Sequence, residues 1–224
     1  MGMLGDDSLE AEVPIMAEAA SRLYLMTPPL SEAAAFIPIL QSALEAGDVA
    51  CVLLRLERLS AGESKKVIAA LLPLRQKHDA ALLVEDPLLA ARCDADGVHI
   101  MGLGASLDAA LSAMKPDRIV GLGGLQSRHA AMQGGEAGVD YVMFGGPEET
   151  EDPADLVERV AWWAEIFTVP CVAYAHRLDD VGALAAAGAD FIALGDAVWQ
   201  HPEGVAAAVK AATQALACVQ ERIT

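Results

Sequence analysis

Eight short apolar runs, spread along almost the whole chain, constrain this sequence more than any other feature. They are RLYLM (22–26), VACVLLR (49–55), AALLVE (80–85), GVHIM (97–101), RIVGL (118–122), YVMFG (141–145), PCVAY (170–174) and DFIAL (190–194). Each is nearly continuous in apolar residues and does not alternate with polar ones. Strands covered on both faces read this way, as in parallel sheets, whereas a sheet with one wet face alternates.

Between the runs lie Ala-rich segments with helix signals. Ser31 is expected as the N-cap of SEAAAFIPILQSALEAG, with Glu32 in the first turn and Gly47 at the end. A helix is expected over 60–78, kinked or shortened by Pro73. PLLAARC reads as a short helix, and others are expected after Ser106 and Gln126 and over 153–167, 178–188 and 202–223. Eight buried strands alternating with helices predict an α/β fold, a single (β/α)8 TIM barrel. An open doubly wound sheet is the runner-up, but no GxGxxG follows the first run. Residues 21–224 are expected to form the barrel and residues 1–20 an acidic lead-in, with Ala-rich 15–20 able to extend into a helix. A length of 224 residues suits one such barrel.

Composition narrows the partners. A net charge of −17 argues against nucleic acid, which requires a basic face, and against anionic membrane surfaces. It leaves room for a small phosphorylated substrate, which needs only a local nest of amides or one or two cations. The four cysteines form no CxxC and no zinc spacing, and Cys51 and Cys171 sit in apolar runs as small core residues. A reduced cytoplasmic setting is expected, since the N-terminus lacks a signal-peptide pattern and no apolar run approaches a membrane span.

In a barrel the chemistry lies where strands end at their C-terminal side. Those ends supply Arg55, Glu85-Asp86, Gly145-Gly146 and His176-Arg177, with His99 inside the fourth run. Each has two readings. Arg55 binds a phosphate or pairs with Glu57 or Glu85. Asp86 holds a metal or caps the helix starting at Pro87. His99 is a general acid–base group or an inward-facing residue satisfied by a hydrogen bond. His176 and Arg177 bind an anion or are loop residues, and Gly145-Gly146 admits a ligand to the backbone or makes a tight turn. Of Trp162 and Trp163, one is expected to pack on the barrel and the other to serve a homo-oligomer contact.

The same stretches resemble the thiamine phosphate synthases. RLYLMT is similar to their first strand, LLRLERLS to their QLREK-type second strand, and LLVEDPLLAARCDADGVHI to their INDR…ADGVHLGQ block. DRIVGL…AGVDYVMFGGP and VPCVAY…ALAAAGADFIALGDAV resemble later blocks, so the match runs in order over about 22–200. The ADGVH and DYVxFG blocks are its more specific parts. The resemblance implies a TIM barrel that joins a hydroxymethylpyrimidine diphosphate to a thiazole phosphate, with Mg2+ and loss of diphosphate. It places the metal on Asp86, the diphosphate near Arg55 and the thiazole phosphate at Gly145, Gly146, His176 and Arg177. The chain departs from the pattern in one direction. The lysine of QLREK falls at Glu57, the sixth loop is acidic at Glu148, Glu149 and Glu151, a serine becomes Asp196, and MGLGAS lacks a second metal carboxylate. Two alternatives to the synthase reaction therefore stay open. One is a barrel with impaired catalysis that binds a thiamine-related ligand or a protein partner. The other is a reassigned enzyme, like the sister thiazole tautomerases, using His99 or His176.

Overall fold

The computed structural model describes residues 20–223, so the expected lead-in over 1–20 lies outside them except for Ala20. The eight runs form eight parallel strands: β1 (Arg22–Met26), β2 (Val49–Leu54), β3 (Ala81–Val84), β4 (Gly97–Met101), β5 (Ile119–Gly123), β6 (Tyr141–Phe144), β7 (Cys171–Ala175) and β8 (Phe191–Leu194). They pair in sequence order and β8 pairs with β1, closing a barrel. Around it run α1 (Ile37–Ala46), α2 (Ala61–His78), α3 (Pro87–Cys93), α4 (Ala105–Met114), α5 (Arg128–Glu136), α6 (Pro153–Ile166), α7 (Val181–Ala186), a short α8 (Asp196–Trp199) and α9 (Val205–Ile223).

Closure explains the continuous apolar runs. Alternate residues of each strand face opposite sides. One set, including Leu23, Leu25, Val52, Leu54, Val98 and Leu122, packs under the helices. The other set fills the barrel interior with Tyr24, Met26, Cys51, Leu53, Leu83, Tyr141, Met143, Val172, Tyr174 and Ala193. β5 contributes Ile119 and then two glycines inward, Gly121 and Gly123. A β-carbon on Gly121 would collide with the Tyr141 ring, and one on Gly123 would sit 2.7 Å from His99 Nε2. Those two glycines make room for the polar aromatic groups at the centre.

Two helix expectations need correction. Ser31 caps nothing: α1 starts at Ile37 with Phe36 as its N-cap residue. A helix opened at Ser31 would carry Pro38 in its interior, where the ring clashes with the preceding turn and removes a hydrogen bond. Starting later puts Pro38 in the first turn, where it is tolerated. Residue 30 is meanwhile held to the β2 edge, with Leu30 N–H donating to the Arg55 carbonyl at 3.0 Å. Pro73, in contrast, does not shorten α2, which runs on to His78 behind a Ser60–Glu63 capping box. The four-residue α8 carried no sequence signal, and Trp199 ties it down by donating to the Met26 carbonyl at 2.6 Å. Among the described residues no helix is long and apolar enough to cross a membrane.

Candidate active site

Arg55 is the first residue past β2. Its backbone is fixed on both sides: its N–H donates to Thr27 Oγ1 at 3.0 Å and its carbonyl accepts from Leu30. The side chain therefore rises from a rigid base. Its guanidinium lies 3.4 Å from Glu148 Oε1 and 3.9 Å from Glu85 Oε1. The expected pairing with Glu85 is present and the alternative with Glu57 is not; past Arg55 the chain runs on parallel to the β1 side, pairing Leu56 with Leu30. Burial pushes the Glu85 carboxyl above the usual carboxylate range; Arg55 draws it back and Glu148 adds to the rise. Tyr174, at the inner end of β7, shows the same field: burial raises its phenol, Asp196 raises it further and Arg55 opposes. Arg55, Glu85, Glu148, Tyr174 and Asp196 thus form one electrostatic group at the barrel mouth.

Asp86 caps α3. One carboxylate oxygen, Oδ1, accepts from the N–H groups of Leu88 at 2.7 Å and Leu89 at 3.2 Å. The capping reading is correct, and it leaves Oδ2 outside the cap. Among the described residues no three His, Cys, Asp or Glu side chains converge as a ready-made metal site.

The loop after β6 is built on a turn. Gly145 has φ +74°, a left-handed conformation that favours glycine, and Glu149 N–H donates to the Gly146 carbonyl at 3.1 Å. Glu151 pairs with Arg159, and Asp152 caps α6 through the Ala154 N–H at 2.8 Å. Gly145, Glu149, Glu151, Tyr174 and His176 line a cavity of about 80 Å³ between this loop and α7. That is well below the roughly 300 Å³ at which ligand pockets begin. Glu149 lies against Gly146, its carboxylate 3.5 Å from where a β-carbon would stand. His176 meets the Tyr174 ring edge-on at 4.9 Å. Arg177 is not among the lining residues: its guanidinium lies 3.5 Å from Asp180 and 4.0 Å from Asp179. The fold therefore brings Gly145 and His176 together around one cavity, with Gly146 next in the chain but outside its lining, joins Arg55 to a carboxylate cluster, and leaves Arg177 in its own loop.

His99 lies lower, inside the barrel, 2% exposed. Its Nδ1 is 2.8 Å from the Tyr141 hydroxyl, which is 3.0 Å from the Tyr24 hydroxyl. The inward-facing, hydrogen-bonded reading holds for Nδ1, while Nε2 has no partner. Burial lowers its pKa to about 4, so the ring is neutral near pH 7. Tyr24, Tyr141 and Tyr174 were missed as site residues because they sit in apolar runs and read as core. Their one available signal was inward register, two residues apart from Met26, Met143 and Val172. Trp163 is buried and donates to the Val169 carbonyl at 2.7 Å; Trp162 is half-buried, with the Arg128 guanidinium 5.0 Å over its ring.

Comparison with known proteins shows the family and the fold. A sequence model described as thiamine monophosphate synthase matches residues 23–198. A thiamine-phosphate synthase of Rhodospirillum centenum is 44% identical over 84% of this chain and 94% of its own. One from Hyphomonas neptunium is 38% identical over 85% of this chain and 91% of its own. Among solved structures, a thiamine phosphate pyrophosphorylase from Pyrococcus furiosus superposes with TM-score 0.75 at 24% identity, covering 88% of this chain and 96% of its own. A 3-hexulose-6-phosphate synthase superposes with TM-score 0.66 at 18% identity, covering 86% and 99%. The likeness to these two structures is one of fold.

Proposed function

The chain belongs to the thiamine monophosphate synthase family, and from that premise we propose that it is a thiamine-phosphate synthase. The reaction transfers the hydroxymethylpyrimidine group from its diphosphate to thiazole phosphate. The bond from the pyrimidine methylene carbon to the diphosphate oxygen breaks, a bond to the thiazole nitrogen forms, and diphosphate leaves with the electron pair.

The observation that carries this reading is Arg55. A leaving diphosphate accumulates negative charge, and a fixed cation aimed at that charge stabilises the transition state without reorganising. Arg55 is such a cation: its backbone is locked, and its side chain stands among carboxylates at the mouth. A diphosphate arriving there exchanges with Glu148, which is 87% exposed and free to swing into solvent. His99 forms part of the floor, offering an unmet nitrogen to the substrate ring. For the thiazole phosphate, the candidates are the Gly145-Gly146 backbone, His176 and Arg177, with Glu149 and the acids beside Arg177 turned aside.

Mg2+ fits the residues present. This ion is held by one or two carboxylates and completes its shell with water and substrate phosphates. Asp86 offers the oxygen that the α3 cap does not use. When bound, the ion would neutralise diphosphate charge. Relatives 35–44% identical over most of this chain carry the synthase name, which supports this reading.

The test is an assay for thiamine phosphate from the two substrates with Mg2+, beside calorimetric titration of each substrate. Turnover supports the synthase reading. Binding without turnover points to a ligand-binding barrel, and absence of turnover in the wild-type protein, with or without binding, sinks the proposal.

A further inference from the structure

Below the mouth, four hydrogen-bonding side chains stand in a column through the barrel. Cys51 on β2 is the register partner of Tyr24 on β1 and shares the interior cluster with it. Tyr24 meets Tyr141 on β6 at 3.0 Å, and Tyr141 meets His99 Nδ1 on β4 at 2.8 Å. All four are buried, between 1% and 8% exposed. The proposed reaction uses only the last of them.

The column has a direction. A neutral imidazole carries one N–H, each phenol carries one O–H and the thiol one S–H. Three contacts consume three of these four protons, and the fourth is left at one end. If Tyr141 donates to Nδ1, the proton left over is an N–H at Nε2, buried and unmet. If Nδ1–H donates to Tyr141, Tyr141 to Tyr24 and Tyr24 to the Cys51 sulfur, the proton left over is a thiol S–H. An unmet S–H costs little, because it is a weak donor, whereas a buried unmet N–H is costly. The second direction leaves a lone pair at Nε2.

That lone pair has somewhere to go. Nε2 lies against Gly123, and in the space that Gly123 and Gly124 leave open stands the Met101 thioether, which would be 3.2 Å from a β-carbon on Gly123. Met101 is 60% exposed at the rim, and an unbranched side chain with three rotors moves aside at low cost. We propose that Tyr141, backed by Tyr24 and Cys51, is a positioning residue that holds His99 as the Nδ1–H tautomer, so that Nε2 accepts a hydrogen bond from an N–H group on the pyrimidine substrate once Met101 swings away. The substrate half of this rests on the synthase reading; the tautomer half does not.

The experiment is nitrogen-15 NMR of histidine-labelled protein, with the His99 signal identified by its loss in His99→Asn. The expected wild-type spectrum shows a neutral Nδ1–H tautomer. Tyr141→Phe, which removes one oxygen and keeps the ring, is expected to shift His99 toward Nε2–H. It is also expected to raise KM for the pyrimidine diphosphate about tenfold, the effect of one hydrogen bond, with kcat little changed. Tyr24→Phe, acting one link further away, should move both readouts in the same direction and less; it decides the matter if Tyr141→Phe does not fold. An Nε2–H tautomer in the wild type overturns the proposal, as does a tautomer indifferent to both variants or a KM that does not move. Failure of the wild type to make thiamine phosphate sinks the synthase reading and the substrate half, while the spectrum still decides what Tyr141 does.

Discussion

The two ends of this barrel treat carboxylates in opposite ways. At the N-terminal end, three aspartates stand just before alternate strands, and each clasps the strand before its own. Asp96 accepts from the Leu82 N–H at 2.8 Å and from Arg75 at 2.7 Å. Asp140 accepts from the Val120 N–H at 2.7 Å and from Lys115 at 2.6 Å, and Asp190 accepts from the Cys171 N–H at 2.7 Å. At the C-terminal end, Glu148 is 87% exposed, Glu85 is half-buried against a longer contact, and Asp86 keeps one oxygen outside its cap. Carboxylates with an oxygen committed to a strand N–H serve the fold. Carboxylates held loosely around one arginine are available to a ligand. The same residue type is tied into the fold at one end and left open to solvent at the other, the end where barrels in general place their chemistry.

Four outcomes would sharpen or break that contrast, and the largest is expected at the mouth. Arg55→Ala should lower thiamine phosphate formation by about 10²–10³-fold, the cost of removing one preorganised charge-stabilising group, with little change in Tm. An equal loss of stability would mean that Arg55 belongs to the structural end.

Next in size is the acid response of the interior. The folded pKa of His99 lies at about 4, below its unfolded value of about 6.5, so the unfolded chain binds the extra proton between those values. Stability from this group is complete above about pH 6.5 and should fall by about 3 kcal/mol as pH drops toward 4. Glu85 and Glu151, both shifted upward by burial, oppose that trend, so the His99 share is read as the difference from His99→Asn in denaturant melts at each pH. Identical slopes in the two proteins would refute it.

At the closed end, Asp96→Ala should cost about 2 kcal/mol in denaturant unfolding by stranding the Leu82 N–H and Arg75, with kcat unchanged. A drop in kcat comparable to that of Arg55→Ala would erase the distinction between the ends. The smallest effect separates two jobs in one residue. Asp86→Asn keeps an N-cap acceptor, so stability should change by only a few tenths of a kcal/mol. The Mg2+ concentration needed for half-maximal activity should nevertheless rise, since a neutral amide is a poorer ligand for a hard cation. An unchanged Mg2+ requirement would confine Asp86 to its cap.

The barrel was legible in the sequence because its signals are local. Every strand lies within a residue or two of its apolar run, and β1 and β4 match theirs end to end. Burial on two faces writes itself into a run of five residues without reference to the rest of the chain. The Ser31 error was local too, since Pro38 already argued against that start. The strand-end residues Arg55, Asp86 and His176 could be listed for the same reason: a strand end is visible in one dimension.

How those residues group was decided only by closure. Arg55 meets Glu148 across 93 positions and Tyr24 meets Tyr141 across 117, distances that no periodicity reports. The family resemblance grouped Gly145, Gly146, His176 and Arg177 as a phosphate site; in the fold Gly145 and His176 line one cavity, while Arg177 turns to Asp179 and Asp180. A tyrosine in an apolar run looks like core from either side of the strand. Whether it faces a helix or a histidine depends on the strand tilt and register that bring β1, β4 and β6 around one axis. Local physics chose the elements; the shared interior, which exists only once the last strand meets the first, chose the partners.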